Sequence, residues 1–221
     1  MDSLPDINKP EGSCTSLDTL ERRIAFFFDP PKKDRTKHRT PEGCESVLYH
    51  LRREMQFCFF NKIVDESEIQ AKDEAPWQSI FSGVLLILCG IDLLGKFLQG
   101  DDSTRWGEVG RRFTKYLEDC FDGLSKDQRK LIYTVRNCLA HSFGLYDKDR
   151  QKRIAIAPLS STGEIAMITD KGHILHYKNL YVQFVGSLRN YRGKLEKNPE
   201  LQENFDKMFA HYAYIVSTEK L

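Results

Sequence analysis

The sequence predicts a mainly α protein, a helical bundle with a small antiparallel β-hairpin or flap inserted before its last two helices. Three observations carry this. Apolar residues recur at intervals of three and four through most of the chain, the spacing of amphipathic helices. After Arg153 that texture gives way to short β-leaning runs punctuated by Pro158, Gly163 and Asp170-Lys171-Gly172. The 221 residues are 40% hydrophobic, with 14 Phe and 9 Tyr, enough for the core of one ordinary domain.

The first dozen residues read as a flexible arm. A helix is expected over 17–28, started by Asp18 and Glu21 at capping-box-like spacing and striped by Leu20, Ile24, Phe27 and Phe28. Pro30-Pro31 ends it. Residues 32–39 form a basic loop, with Lys32, Lys33, Arg35, Lys37, His38 and Arg39 against Asp34 alone. A second helix is expected over 44–62, on the spacing of Val47, Leu48, Leu51, Met55, Cys58 and Phe59. Residues 65–75 read as an acidic connector.

Pro76 sits where helix starts tolerate proline and opens the most apolar helix, 77–99. Asp92, Lys96 and three glycines interrupt its apolar run, which falls short of the roughly 20 residues a membrane span needs. It is expected as a buried core helix, and no membrane is implied. A turn at Gly100-Asp101-Asp102-Ser103 precedes a helix marked by Trp106, Val109, Phe113, Tyr116, Leu117, Cys120 and Phe121. Trp77 and Trp106, both at helix starts, read as core anchors.

Ser125-Lys126-Asp127-Gln128 has capping-box spacing and opens a helix running to about Phe143, with Gly144 as its stop. The flap draws on residues 154–156, 164–168 and 173–177. Two amphipathic helices close the chain, one on Tyr181, Phe184, Val185, Leu188 and Tyr191, the other on Leu201, Phe205, Met208, Phe209, Tyr212 and Ile215. The organisation is therefore an arm, short helix and basic loop (1–43), a bundle (44–146), a flap (147–178) and two helices completing the bundle (179–221).

A formal charge of +1 excludes a global positive field, so any nucleic-acid binding must use a local patch. The six cysteines form neither a CxxC pair nor a zinc-type cluster, and they read as reduced thiols of a cytoplasmic protein. The start, Met1-Asp2-Ser3-Leu4-Pro5, lacks the basic and apolar segments of a signal peptide. No metal or cofactor motif is present, so neither is expected.

Function concentrates in Arg136-Asn137-Cys138-Leu139-Ala140-His141. On a helix, Asn137 and His141 are i,i+4 neighbours, and Arg136 is long enough to swing its guanidinium towards them. Leu131, Ile132, Val135 and Leu139 take the core side. Such a set suits metal-independent RNA cleavage. Histidine can take or give a proton near neutral pH, arginine offers a forked charged donor to phosphate oxygens, and Asn137 can orient the histidine or donate to the phosphate. The nucleophile would be the ribose 2′-hydroxyl. One chain supplies one such histidine, so an isologous homodimer would bring a second.

Arg136-Asn137-x-x-Ala140-His141 late in an all-α bundle resembles the HEPN superfamily, whose signature is an arginine, four to six residues, then a histidine. The resemblance covers roughly 44–145, extending to 179–216. It implies a HEPN-like bundle, dimerisation and metal-independent endoribonuclease activity of the kind found in toxin–antitoxin, phage-defence, CRISPR-associated and RNA-processing systems, in stress response or defence. Arg136, Asn137 and His141 would be the active-site residues, and a controlling antitoxin or other partner protein is a further implication. One HEPN branch has a tyrosine two residues after the histidine. Here that position is Phe143 and the nearest tyrosine is Tyr146, which argues against control by tyrosine modification.

Other signals have two readings. Asp92 is expected to pair with Lys96, its i,i+4 neighbour; the sharper alternative is that it orients Arg136 or His141. The loop cations Lys32, Lys33, Arg35, Lys37 and Arg39 are either a solvated run or a grip on an RNA backbone, aided by Arg111, Arg112, Arg150, Lys152 and Arg153. His173 and His176 fall on opposite faces of a strand and read as surface or flap residues. Competing with the ribonuclease are a non-catalytic HEPN-like module binding a nucleotide, RNA or protein, and a helical interaction protein in which the Arg/His pair is incidental.

Overall fold

Seven helices appear among the described residues: α1 (Leu20–Phe28), α2 (Val47–Phe60), α3 (Ile80–Gln99), α4 (Glu108–Cys120), α5 (Lys126–His141), α6 (Tyr177–Leu195) and α7 (Pro199–Tyr212). The structure is a computed structural model, and it describes residues 14–31, 39–66, 79–105, 107–141, 145–149, 151–158 and 163–216. The most apolar segment, α3, forms the centre. It packs against α2, α4, α5, α6 and α7, and Val84, Ile87, Leu88, Ile91, Leu94 and Phe97 are wholly buried. By length and composition α3 meets the requirement for a membrane span, contrary to the sequence argument, while 56% of its most apolar window lies inside the protein. Its five helical neighbours thus cover somewhat more than half of that window.

Helix α1 begins later than expected. Thr19, not Asp18, caps it, its hydroxyl accepting from the Arg22 amide at 3.3 Å, while Asp18 pairs with Arg22 at 2.8 Å. Phe27 and Phe28 bury against Phe97, Phe205 and Tyr191, so α1 joins the central aromatic cluster.

Residues 44–46, expected as the first turn of the second helix, form a strand, β1 (Cys44–Ser46). Gly43 at φ 87° turns the chain back on Thr40, and Ser46 then caps α2 by accepting from the Tyr49 amide at 3.3 Å. Ile215, expected on the last helix, lies instead in the strand Tyr214–Val216, β6 once the flap strands are counted. It pairs antiparallel with β1, Ser46 opposite Tyr214 and Cys44 opposite Val216.

The flap is larger than expected and not wholly antiparallel. Its strands are β2 (Tyr146–Asp147), β3 (Lys152–Ala157), β4 (Ala166–Ile168) and β5 (His173–His176), in the order β2-β3-β5-β4. The outer pairs are antiparallel, but β3 and β5 run parallel, Ile154 beside His173 and Ala157 beside His176. The most buried strand, β5, thereby takes a central place, and Ile154, Ala166 and Leu175 share the buried face. His173 and His176 lie in the flap, one of their two expected places, but they are buried there, at 2% and 4% exposed, and not at the surface. Nδ1 of His176 meets the Glu164 carbonyl at 3.1 Å, and Nε2 of His173 lies 3.7 Å from the buried Asp147 carboxylate.

The cysteines also require correction. Cys14 and Cys44 form a disulfide, their Cα atoms 6.6 Å apart, leaving Cys58, Cys89, Cys120 and Cys138 as thiols. The bond ties the segment before α1 to β1. The expectation of a cytoplasmic protein rested on six reduced thiols and loses that argument. Expectations for the arm at 1–12, the basic residues 32–38, most of the connector after Glu66, Pro76, Trp77, Trp106, Phe143, Gly144 and Arg150 fall outside the described residues.

Candidate functional site

The helix that carries the motif is fixed at its start by a reciprocal cap. The Ser125 hydroxyl accepts from the Gln128 amide at 3.2 Å, and the Gln128 side chain accepts from the Ser125 amide at 3.0 Å. The Gln128 side-chain nitrogen also donates to the Ala166 carbonyl at 2.8 Å, docking α5 onto β4. On the core side Leu131, Ile132, Val135 and Leu139 are at most 1% exposed. Near its end, the Cys138 thiol meets the Tyr146 carbonyl at 3.4 Å and holds β2 against the helix. Helix α5 is thus held against α3, α4 and the sheet.

From this helix Arg136 reaches α3. Its Nη2 donates to Asp92 Oδ2 at 2.9 Å, and its Nη1 donates to Asn137 Oδ1 at 3.1 Å. Both charged side chains are about one-fifth exposed. The i,i+4 pair of Asp92 with Lys96 does not form. Lys96 instead sits over the Tyr212 ring, 4.1 Å from its centroid. The expectation that favoured Lys96 is corrected, and the alternative partner, Arg136, is the one observed. The cause is geometric: the guanidinium arrives from the facing helix with one terminal nitrogen on Asp92 and the other on Asn137, while Lys96 is drawn to the Tyr212 ring. The other Asp92 oxygen, Oδ1, is buried with no hydrogen-bond partner among the described residues. Cys89, one turn before Asp92, has its thiol pKa raised, chiefly by desolvation, with Arg136 lowering it and Asp92 raising it.

His141 closes α5 as an exposed residue and makes no hydrogen bond or ion pair among the described residues. Arg136, Asn137 and Asp92 are therefore brought together, while His141 stands free about one turn further along the same helix. Among the described residues, no group of three or more His, Cys, Asp or Glu is placed to hold a metal ion.

Of the basic residues assigned to RNA, Arg39 is engaged by Glu45 at 2.7 Å, while Lys32, Lys33, Arg35 and Lys37 lie outside the described residues. The helpers are mostly committed as well. Arg112 is 1% exposed and donates to the Ser103 carbonyl at 2.5 Å. Arg111 is shared by Glu108 and Gln99, and Lys152 donates to the Asp170 carbonyl. Arg153 alone among the described helpers is exposed with no such partner.

Sequence reasoning missed a buried ion pair. Arg52 of α2 donates to both carboxylate oxygens of Glu66 and to the carbonyls of Phe28 and Asp29. Its signal was present, since Arg52 falls on the apolar stripe of Leu48, Met55 and Phe59. This arginine lines a cavity of about 230 Å³ with Phe28, Val185 and Leu188. A second cavity of about 370 Å³ lies beside Phe26, Arg39 and Tyr49. Neither is lined by Arg136, Asn137 or His141.

No family model, curated protein or solved structure matches the chain.

Proposed function

We propose that the chain is a HEPN-like metal-independent endoribonuclease, acting as a homodimer on RNA. The observation that carries this reading is Arg136 anchored by Asp92 and Asn137 on a rigid helix, with a solvent-facing His141 about one turn away. In this mechanism a base removes the proton of a ribose 2′-hydroxyl, whose oxygen attacks the adjacent phosphorus. The 5′-oxygen leaves with a proton from an acid. Products are a 2′,3′-cyclic phosphate and a 5′-hydroxyl.

His141 is the proton-transfer group and Arg136 the partner of the charge that builds on the phosphorane. Asp92 is a positioning residue. It accepts from Nη2 while Asn137 accepts from Nη1, which keeps the guanidinium aimed along one face of α5. The motif lines neither cavity, so on this reading the RNA groove closes only when the motif helices of two protomers face each other.

That same observation favours a second reading, a non-catalytic HEPN-like module that uses the open helix face to bind RNA, a nucleotide or a protein. The two separate on one experiment. A mixed RNA pool is incubated in EDTA with the wild type, and product ends are analysed. EDTA-resistant cleavage with 2′,3′-cyclic phosphate ends supports the nuclease. RNA binding by a folded dimer that leaves the pool intact supports the module.

A further inference from the structure

The face of the sheet turned away from α5 carries features that the proposed reaction does not use. Register places Tyr146 opposite Arg153, Ala155 beside Ile174, and Met167 opposite Ile174. Side chains alternate along a strand, so these five residues share one face of the sheet. On the other face Ile154, Ala166, His173 and Leu175 are buried, while Ile168 at its β4 end is 37% exposed. Tyr146 is 44% exposed and Met167 36%. Arg153, directly across from the tyrosine, is exposed and without an ion-pair partner among the described residues. Lys148 and Lys171, also exposed, are likewise unpaired there. Of the acidic residues in this part, Asp147 is buried near His173 and Asp149 is paired with Lys130 at 3.1 Å, leaving Glu164 and Asp170 towards β4.

The edge strand β2, which bears Tyr146 and pairs with the strand of Arg153, touches the motif helix through its backbone. The Cys138 thiol contacts the Tyr146 carbonyl at 3.4 Å, and Cys138 lies between Asn137 and His141 on α5. An exposed ring next to an unpaired guanidinium, one strand away from a phosphate-handling helix end, matches what single-stranded RNA requires. Rings stack on bases whatever their identity, and arginine takes the backbone phosphate. The apolar content of the face is modest, Ala155, Ala157, Ile174 and Met167 beside the tyrosine, which suits a polyanion better than a protein surface.

We propose that the outer face of the β2-β3-β5-β4 sheet is a platform for single-stranded RNA, with a base stacked on Tyr146 and a neighbouring phosphate held by Arg153. This rests on reading the motif helix as an RNA site, and it adds the direction from which the strand arrives.

The test is binding of a fluorescent single-stranded RNA to full-length protein carrying His141→Ala, so that no turnover intervenes. Tyr146→Ala should weaken binding about tenfold, in line with the loss of one stacked base. Tyr146→Phe should restore it, and Arg153→Ala should weaken binding while reducing its salt dependence. RNA made abasic at the stacked position should bind the tyrosine and alanine proteins alike. Unchanged affinity in folded Tyr146→Ala and Arg153→Ala proteins overturns the platform, as does failure to bind single-stranded RNA at all. The nuclease reading fails separately. Tyr146-dependent binding without cleavage by the wild type would defeat only that reading, and cleavage with Tyr146-independent binding would defeat only the platform.

Discussion

Asp92 has two cations within reach, Lys96 one turn along its own helix and Arg136 on a facing helix, and it takes Arg136. An i,i+4 lysine pair contributes only a few tenths of a kcal/mol, so it yields readily to a forked donor in a half-buried place. The sequence offers both candidates, and helical spacing alone favours Lys96, because the real choice depends on how α3 and α5 cross. A double-mutant cycle decides it. Asp92→Asn with Arg136→Gln should show a coupling of about 1 kcal/mol in urea denaturation, and Asp92→Asn with Lys96→Ala almost none.

A second residue-scale prediction concerns pH. Glu42 accepts from the Ser16 hydroxyl at 2.7 Å and from the Thr15 hydroxyl at 2.9 Å. Hydrogen bonds from Ser16 first, then Thr40, hold its pKa down at about 2, against an ordinary 4.5. A depressed folded pKa means that this stabilisation is present above the ordinary value and is lost as pH falls towards about 2. The gap in thermal midpoint between wild type and Glu42→Gln should therefore narrow across that window. A gap independent of pH would contradict it.

At the scale of elements, what was legible had a local cause. The Ser125–Gln128 cap appears in the structure as the reciprocal pair its spacing implied, and the Leu131, Ile132, Val135 and Leu139 stripe is the buried side of α5. What was illegible depends on distant chain. Residues 44–46 are a strand because 214–216 lies beside them, and β3 and β5 are parallel because β4 crosses to the far edge. Arg52 follows the same logic, since its partner Glu66 sits beyond the end of its helix.

Close helix contact gives an element-scale test. At Gly95 of α3, an added Cβ would lie 2.9 Å from the Arg112 carbonyl oxygen of α4, a backbone atom that cannot step aside. Gly95→Ala should cost about 1–3 kcal/mol. At Gly193 of α6 an added Cβ meets nothing within 4 Å, and Gly193→Ala should stabilise by about 0.5–1 kcal/mol. Paired urea titrations give both signs in one series.

For the whole molecule, two long-range ties close the fold at its ends, the β1–β6 ribbon and the Cys14–Cys44 bond. Thiol titration of denatured, unreduced protein should find four reactive cysteines, and six after reduction. Closing a loop of 30 residues in sequence separation should add about 3–4 kcal/mol to stability in the chain-entropy account. Six reactive thiols before reduction would remove that tie.

The helical fold holds the Arg136, Asn137 and Asp92 cluster and the free His141 on one rigid surface, and the central claim is that this surface cuts RNA. The most direct measurement is the single-turnover rate of RNA cleavage in EDTA by the wild type and by His141→Ala, with both proteins shown to be folded and in the same oligomeric state. Cleavage by the wild type is expected, with a loss of at least about a hundredfold in the variant, the scale of one general acid–base group. Equal rates in the two proteins would contradict it.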